Sequence, residues 1–235
     1  MKITCRGLIT GATALSLLLF LGTSTSGFAD EGAKHTGHIG KDVAALPLFD
    51  AHIHYKKPAW GPYPPGTVIE LMDKSGVAMA LVSSTPDEGT IKLWQYAPNR
   101  IVPELRPYHG QAGSGNWTKA PGMFDYLVQR LNAYPHAGIG EFHLHGVDPH
   151  DEPLLRKIAA LAKEKNIYIH VHSGKAPVDM LFSFEPGLKI IWAHAGMSEP
   201  AETVAAMLAT YPMLYADTSF REWDILTSQG PIDPA

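Results

Sequence analysis

The chain has 235 residues, of which 45% are hydrophobic and 18% charged, enough for one sizeable core and too few for two ordinary domains with separate cores. Its net charge of −4 gives no electrostatic support for nucleic-acid binding, which draws on many basic phosphate contacts. The single cysteine, Cys5, lies in a segment expected to be removed, which excludes disulfides and thiolate chemistry from the mature protein.

At the N-terminus, Lys2 and Arg6 precede a mostly apolar stretch, Ala14 to Leu21, and then small residues leading to Gly27-Phe28-Ala29. This is the pattern of a cleaved secretory signal over residues 1–29. The apolar stretch is well short of the roughly 20 residues that span a bilayer. The expectation is a periplasmic or secreted protein, free of the membrane after cleavage. Residues 30–45 are small and polar, as in a mobile leader. The folded domain is placed at 46–235.

From Leu46 onward, apolar strand-like runs at 48–54, 77–84, 101–108, 137–145, 167–173, 189–196 and 214–220 alternate with segments of helical character at 67–74, 89–96, 122–134, 151–165, 178–184 and 200–211. In the fourth of these helices Leu154, Leu155, Ile158, Leu161 and Ala162 form one apolar stripe, and Pro153 sits in the first turn, where proline is tolerated. Strict β/α alternation with continuous apolar strands predicts a parallel sheet covered by helices. Tyr55-Lys56-Lys57-Pro58 after the first strand is not the glycine-rich phosphate loop of an open doubly wound sheet. The predicted architecture is therefore of the (β/α)8 TIM-barrel type, with only seven strands evident and the sequence ending before an eighth.

Within LFDAHIHY (48–55), His52 and His54 stand at i and i+2, so their side chains project from one face of a strand, near the carboxyl mouth of such a barrel. Glu141 lies late in the fourth strand run, His170 and His172 end the fifth, and His194 ends the sixth. Several inward, desolvated imidazoles and a carboxylate that costs several kcal/mol to bury unpaired are satisfied together by one divalent cation. Imidazole and carboxylate donors suit zinc, manganese or iron better than calcium or magnesium. Such an ion acidifies a water molecule to a pKa near about 7, which points to hydrolytic or metal-assisted lyase chemistry.

The order FDAHIH (49–54), GIGEFHLHG (138–146), IHVHSG (169–174) and WAHAG (192–196) resembles the amidohydrolase superfamily, specifically the amidohydrolase-2 branch of metal-dependent TIM barrels. The resemblance runs from about Leu46 to the C-terminus. It implies that His52 and His54 are metal ligands, that one strand-five histidine is a ligand, and that His194 is a ligand or positions substrate. His172, just before Ser173-Gly174, is chosen for strand five, with His170 as a supporting residue behind it. Glu141 resembles the strand-four glutamate of TatD-like relatives, which can bridge two metals; the alternative is an acceptor that holds a ligand histidine. Asp50 is assigned to orienting the ligands.

In the family an aspartate at the end of strand eight binds metal and takes the proton of the attacking water, and this sequence ends before that strand. Asp217, in YADTSF (215–220), is a weak substitute, better suited to a supporting role. Arg106 and Arg221 could each hold a substrate carboxylate or phosphate by paired hydrogen bonds, and Trp60 and Tyr63 could wall the pocket.

The resemblance implies a metal-dependent hydrolase that uses one or two divalent ions, zinc first with manganese or iron as alternatives. It would act on an amide, ester or lactone-like carbonyl of a small molecule, or carry out a related decarboxylation. The competing expectation is a catalytically inert metal-binding fragment. Open strand edges on an incomplete barrel would favour self-association into a homo-oligomer.

Overall fold

Val, Ile and Leu runs flanked by Gly, Pro and Asn turns pair here as parallel strands, because each strand is followed by a helix that carries the chain back to the start of the next. The structure, a computed structural model, describes residues 47–221 and the backbone of a short antiparallel strand pair, Leu226–Thr227 and Gly230–Pro231. The expected signal peptide and leader lie outside the described residues.

The strands are β1 (Leu48–Ile53), β2 (Val77–Ser83), β3 (Ile101–Leu105), β4 (Gly138–His143), β5 (Tyr168–His172), β6 (Lys189–Trp192) and β7 (Leu214–Ala216). They form one sheet in the order β1 to β7, every neighbouring pair parallel. The helices between them are α1 (Pro65–Lys74), α2 (Glu88–Tyr96), α3 (Met123–Ala133), α4 (Glu152–Lys165), α5 (Lys175–Phe184) and α6 (Ala201–Thr210). The result is a seven-stranded, curled, incomplete (β/α)8 barrel. Among the described residues no helix is long and apolar enough to cross a membrane.

Helix α4 shows how the sequence sets an element. Its buried face is Leu155, Ile158, Ala159, Leu161 and Ala162, Pro153 is in its first turn, and Asn166 closes it in the left-handed conformation at φ 55°. The other helices pack in the same way on the outside of the sheet. Their apolar faces and the outward residues of the strands make a large cluster centred on Ile139, Phe142, Ile158, Ile169, Leu181 and Trp192, and a smaller one of Tyr55, Met72, Ala80, Val82, Leu93 and Ile101 under β1 to β3.

Several strands are shorter than their apolar runs suggest. β3 stops at Leu105, β6 at Trp192 and β7 at Ala216, so Arg106, His194 and Asp217 stand just beyond strand ends rather than within strands. His194 lies in a 3-10 turn (Ala193–Gly196) with φ 56°, ψ 25°. On the concave side of the sheet polar residues are buried, among them Ser83, Glu104, Glu141 and His170.

Gly140 is required where β4 passes β5. It has φ +153°, and an added Cβ would fall onto the carbonyl oxygen of His170, at an irregularity in the β4/β5 pairing between Ile139 and Phe142. Gly140→Ala is expected to lower unfolding stability by about 2–4 kcal/mol through backbone strain and overpacking. Gly115→Ala, where a Cβ meets nothing within 4 Å, should stay within about 0.5 kcal/mol of wild type. Urea unfolding of both variants checks the contrast.

Candidate metal centre

Alternation along β1 turns Asp50, His52 and the residue after the strand, His54, to one side, and the Asp50 carboxylate accepts the backbone N–H of His52 at 3.0 Å. Alternation along β4 does the same for Glu141 and His143, and along β5 for His170 and His172. The 3-10 turn after β6 brings in His194, and the segment after β7 brings in Asp217 and Ser219. The curl of the sheet closes the ring of side chains: His52 Nδ1 lies 3.2 Å from Asp217 Oδ2 and 3.0 Å from Ser219 Oγ, joining the first strand to the end of the last.

Glu141 is the hub. Its side chain is 3% exposed, and around its two oxygens stand Arg106 Nη2 at 2.6 Å, His172 Nδ1 at 2.7 Å, His54 Nε2 at 3.1 Å, His194 Nε2 at 3.5 Å and His52 Nε2 at 3.7 Å. Arg106 Nε also donates to the Glu141 carbonyl at 2.8 Å. Burial pushes the Glu141 carboxyl up, but the hydrogen bonds from His172, His194, His52 and His54 outweigh it and hold the group far below the usual carboxylate range.

The outer partners of the histidines fix where their protons lie. A carbonyl oxygen can only accept, so His54 donates Nδ1–H to Ser83 O at 2.8 Å, and His194 donates Nδ1–H to Ser219 O at 2.8 Å. His52 turns Nδ1 to the Asp217 carboxylate in the same way. Each ring therefore turns Nε2 inward on Glu141. Burial lowers the proton affinity of His54, and its Nε2 faces Glu141 Oε2 at 3.1 Å and His52 Nε2 at 3.2 Å. Acceptors turned on one another at such distances need a proton or a metal cation between them.

Donor atoms of His52, Glu141 and His194, of His52, His170 and Asp217, and of Glu141, His143 and His172 each lie within 4.8 Å of one another. The donor set fits a divalent ion held by nitrogen and oxygen.

Behind this layer, His170 is held between two carboxylates, with Nδ1 3.0 Å from Glu104 Oε2 and Nε2 3.1 Å from Asp217 Oδ2. Burial pushes the ring down, but the charges and hydrogen bonds of Glu104 and Asp217 prevail and raise it to about 10. Burial likewise opposes ionisation of Asp217, yet hydrogen bonds from His170, His52 and Ser219 hold its carboxyl well below the usual range. His52 is raised: Asp217 and Glu141 outweigh its burial.

The structure thus gathers His52, His54, Glu141, His172 and His194 at one point, with His170 behind them and Asp50 on the β1 backbone. Asp217 is integrated with the histidines, bonded to His52, to His170 and to the backbone N–H of His194. The two arginines expected to bind substrate both have partners within the protein. Arg106 is 4% exposed and its guanidinium is engaged with Glu141, because an unpaired carboxylate at that depth would cost more than the arginine gains elsewhere. Arg221 Nη1 donates to the carbonyls of His194, Ala195 and Met197, bracing the turn that carries His194. Trp60 is pinned by its N–H to the Tyr55 carbonyl at 3.1 Å, and Tyr63 is half-exposed.

Sequence reasoning passed over Glu104, His143, Tyr108 and Ser219. Two of these carried a period-two signal, since Glu104 precedes Arg106 by two residues and His143 follows Glu141 by two.

A sequence model described as Amidohydrolase, of the amidohydrolase-2 branch, matches residues 49–235. The chain belongs to the amidohydrolase family. An apo crystal structure of an Agrobacterium tumefaciens protein is similar at 11% sequence identity and a TM-score of 0.47, over 72% of this chain and 67% of that one. No curated protein matches this amidohydrolase-family chain in sequence. Membership supports a hydrolase-type function, and divalent metals are usual in the family.

The raised proton affinity of His170 links stability to pH. The ring holds its proton more tightly folded than unfolded, so its contribution is complete below about pH 6.5 and is lost as pH rises through about 10. The stability difference between wild type and His170→Gln, from urea unfolding of metal-free protein, should be largest near about pH 6 and shrink towards about pH 10. A difference that stays constant across this window would show that the buried ring is neutral.

Proposed function

We propose that this chain is a metal-dependent hydrolase in which His52, His54, His172, His194 and Glu141 hold a divalent transition-metal ion, zinc first, beside the carbonyl of a small-molecule amide, ester or lactone. The observation that carries this reading is the outward Nδ1 donation of three imidazoles, which leaves their Nε2 atoms converging on one carboxylate. Bound there, the ion would supply Lewis-acid polarisation of the carbonyl and a water molecule with a pKa near about 7.

The chain's own residues have separable roles. Ser83 O, Ser219 O and Asp217 fix the tautomer and direction of His54, His194 and His52, the outer-partner arrangement that tunes metal ligands. Arg106 braces Glu141 through Oε2 and through its backbone carbonyl, holding the carboxylate in place among the histidines. Glu104 and Asp217 hold His170 charged, and His170 in turn holds Asp217 against His52. Asp217 closes the ring from the β7 side, its two oxygens taken up by His52, His170, Ser219 and the backbone N–H of His194.

The engagement of Arg106 with Glu141 favours a neutral carbonyl substrate over a carboxylate to be released as carbon dioxide. That buried guanidinium is not available to grip an anionic group.

Zinc content and ester hydrolysis test the reading together. His52→Ala combined with His54→Ala should abolish stoichiometric zinc binding measured by elemental analysis. His109→Ala should not, because that ring is stacked on Tyr126 at 3.8 Å, away from the centre. Affinity in the wild type should fall below about pH 6, as imidazoles take up protons, and a chelator should remove hydrolysis that added zinc restores. Full zinc occupancy in the double variant would overturn the assignment.

A further inference from the structure

Beside the ligand cluster lies a cleft of about 230 Å³ between the loops that follow β3 and β4, walled by Trp117, Thr118, Lys119, His143, His145 and Asp148. His143 belongs to both places. It lines the cleft, and its ring stacks on His172 with centroids 4.1 Å apart and planes at 23°.

The tautomer of His143 follows from Tyr108. The Tyr108 side chain is buried, and its oxygen accepts the backbone N–H of His143 at 2.8 Å. Its own proton has one partner among the described residues, His143 Nδ1, also at 2.8 Å. Were Nδ1 protonated instead, the phenol proton would be buried without an acceptor, at a cost of about 1–3 kcal/mol. Nδ1 is therefore the acceptor, and the ring proton sits on Nε2. Nε2 has no protein partner among the described residues and is not among the buried unsatisfied atoms. It is an N–H donor open to the cleft. Tyr108 is itself held by the Arg106 guanidinium over its ring at 4.7 Å, the same group that grips Glu141, so one arginine fixes both the ligand carboxylate and the donor.

We infer that His143 is the substrate-facing hydrogen-bond donor of this centre, its Nε2–H held by Tyr108 towards the carbonyl oxygen of a substrate lying in the cleft beside the metal ligands. It keeps its proton throughout and acts by stabilising negative charge as that oxygen gains it, the role of a preorganised oxyanion donor. The inference rests on the carbonyl-hydrolase reading above and assigns the cleft to the substrate's carbonyl end.

Zinc-loaded wild type, His143→Ala, His143→Gln and Tyr108→Phe are compared on 4-nitrophenyl acetate, with zinc content and thermal unfolding measured on each. His143→Ala should lower kcat by about 10²–10³-fold with KM little changed and zinc retained. His143→Gln, which keeps an N–H donor at similar reach, should recover most of the loss, and Tyr108→Phe should fall between. Unchanged kcat in His143→Ala overturns the inference, and so does parallel loss of zinc, which would make His143 a ligand.

A second measurement does not need turnover. Nitrogen-15 spectra of metal-free wild type should show the Nε2–H tautomer at His143, a mixture in Tyr108→Phe, and a shift of the Nε2–H signal when acetamide is added as a carbonyl probe. An Nδ1–H tautomer, or no response to acetamide, overturns the inference. If wild type binds no zinc and hydrolyses nothing, the reading under Proposed function fails, and these spectra still decide the role of His143.

Discussion

One buried carboxylate organises the mouth of this barrel. Glu141 is almost fully withdrawn from water, and an ionised carboxylate there costs several kcal/mol unless its oxygens are matched. The match comes from five directions: Arg106 after β3, His52 and His54 from β1, His172 from β5 and His194 from the turn after β6. None of these side chains could reach Glu141 unless the strands were parallel, in sequence order and curled. The charge therefore reports the fold, and the fold in turn pre-sets the direction of every imidazole.

A second layer decides what those imidazoles present. Carbonyls of Ser83 and Ser219 and the carboxylate of Asp217 draw Nδ1 protons outward, so each inner nitrogen meets Glu141 across a gap that a shared proton or a cation must fill. Further back, Glu104 and Asp217 confine a charged His170 where water does not reach. Alternating negative and positive groups at hydrogen-bond distance lower the cost of each other's burial, and in a low-dielectric interior they also hold one another rigidly. A centre built in this way is ordered before a ligand arrives, which is the condition for electrostatic catalysis.

Much of this was legible in the sequence for local reasons. His-x-His at a strand end, period-two placement of Glu141 and His172, and the apolar stripe of α4 are consequences of strand and helix geometry. Arg106 was harder, because a strand-end arginine reads as a substrate clamp until the carboxylate next door is known to be buried. The partners of Asp217 were out of reach of sequence reasoning: its distance along the chain from His52 hides that the curl of the sheet sets the two side by side. His194 was placed at a strand end, whereas a left-handed turn, invisible to apolar periodicity, aims its ring. His143 was masked by the stronger pattern around Glu141 on the same strand, although it followed the same rule of two.

The contact between His52 and Asp217 joins residues 165 positions apart and is made by side chains, where a closed barrel would use a backbone ladder. The two side chains are buried, 6% and 5% exposed, yet closing so long a loop carries a chain-entropy cost that one hydrogen bond, worth about 0.5–1.5 kcal/mol net, does not offset by itself. An ion shared by His52 on the first strand and by His194 or His172 on later ones would act as a staple across the opening. Binding that favours the closed ring over the splayed one stabilises it in proportion to occupancy. Such an ion would add to a ring that the side chains already hold closed, and straining the ring would loosen the site.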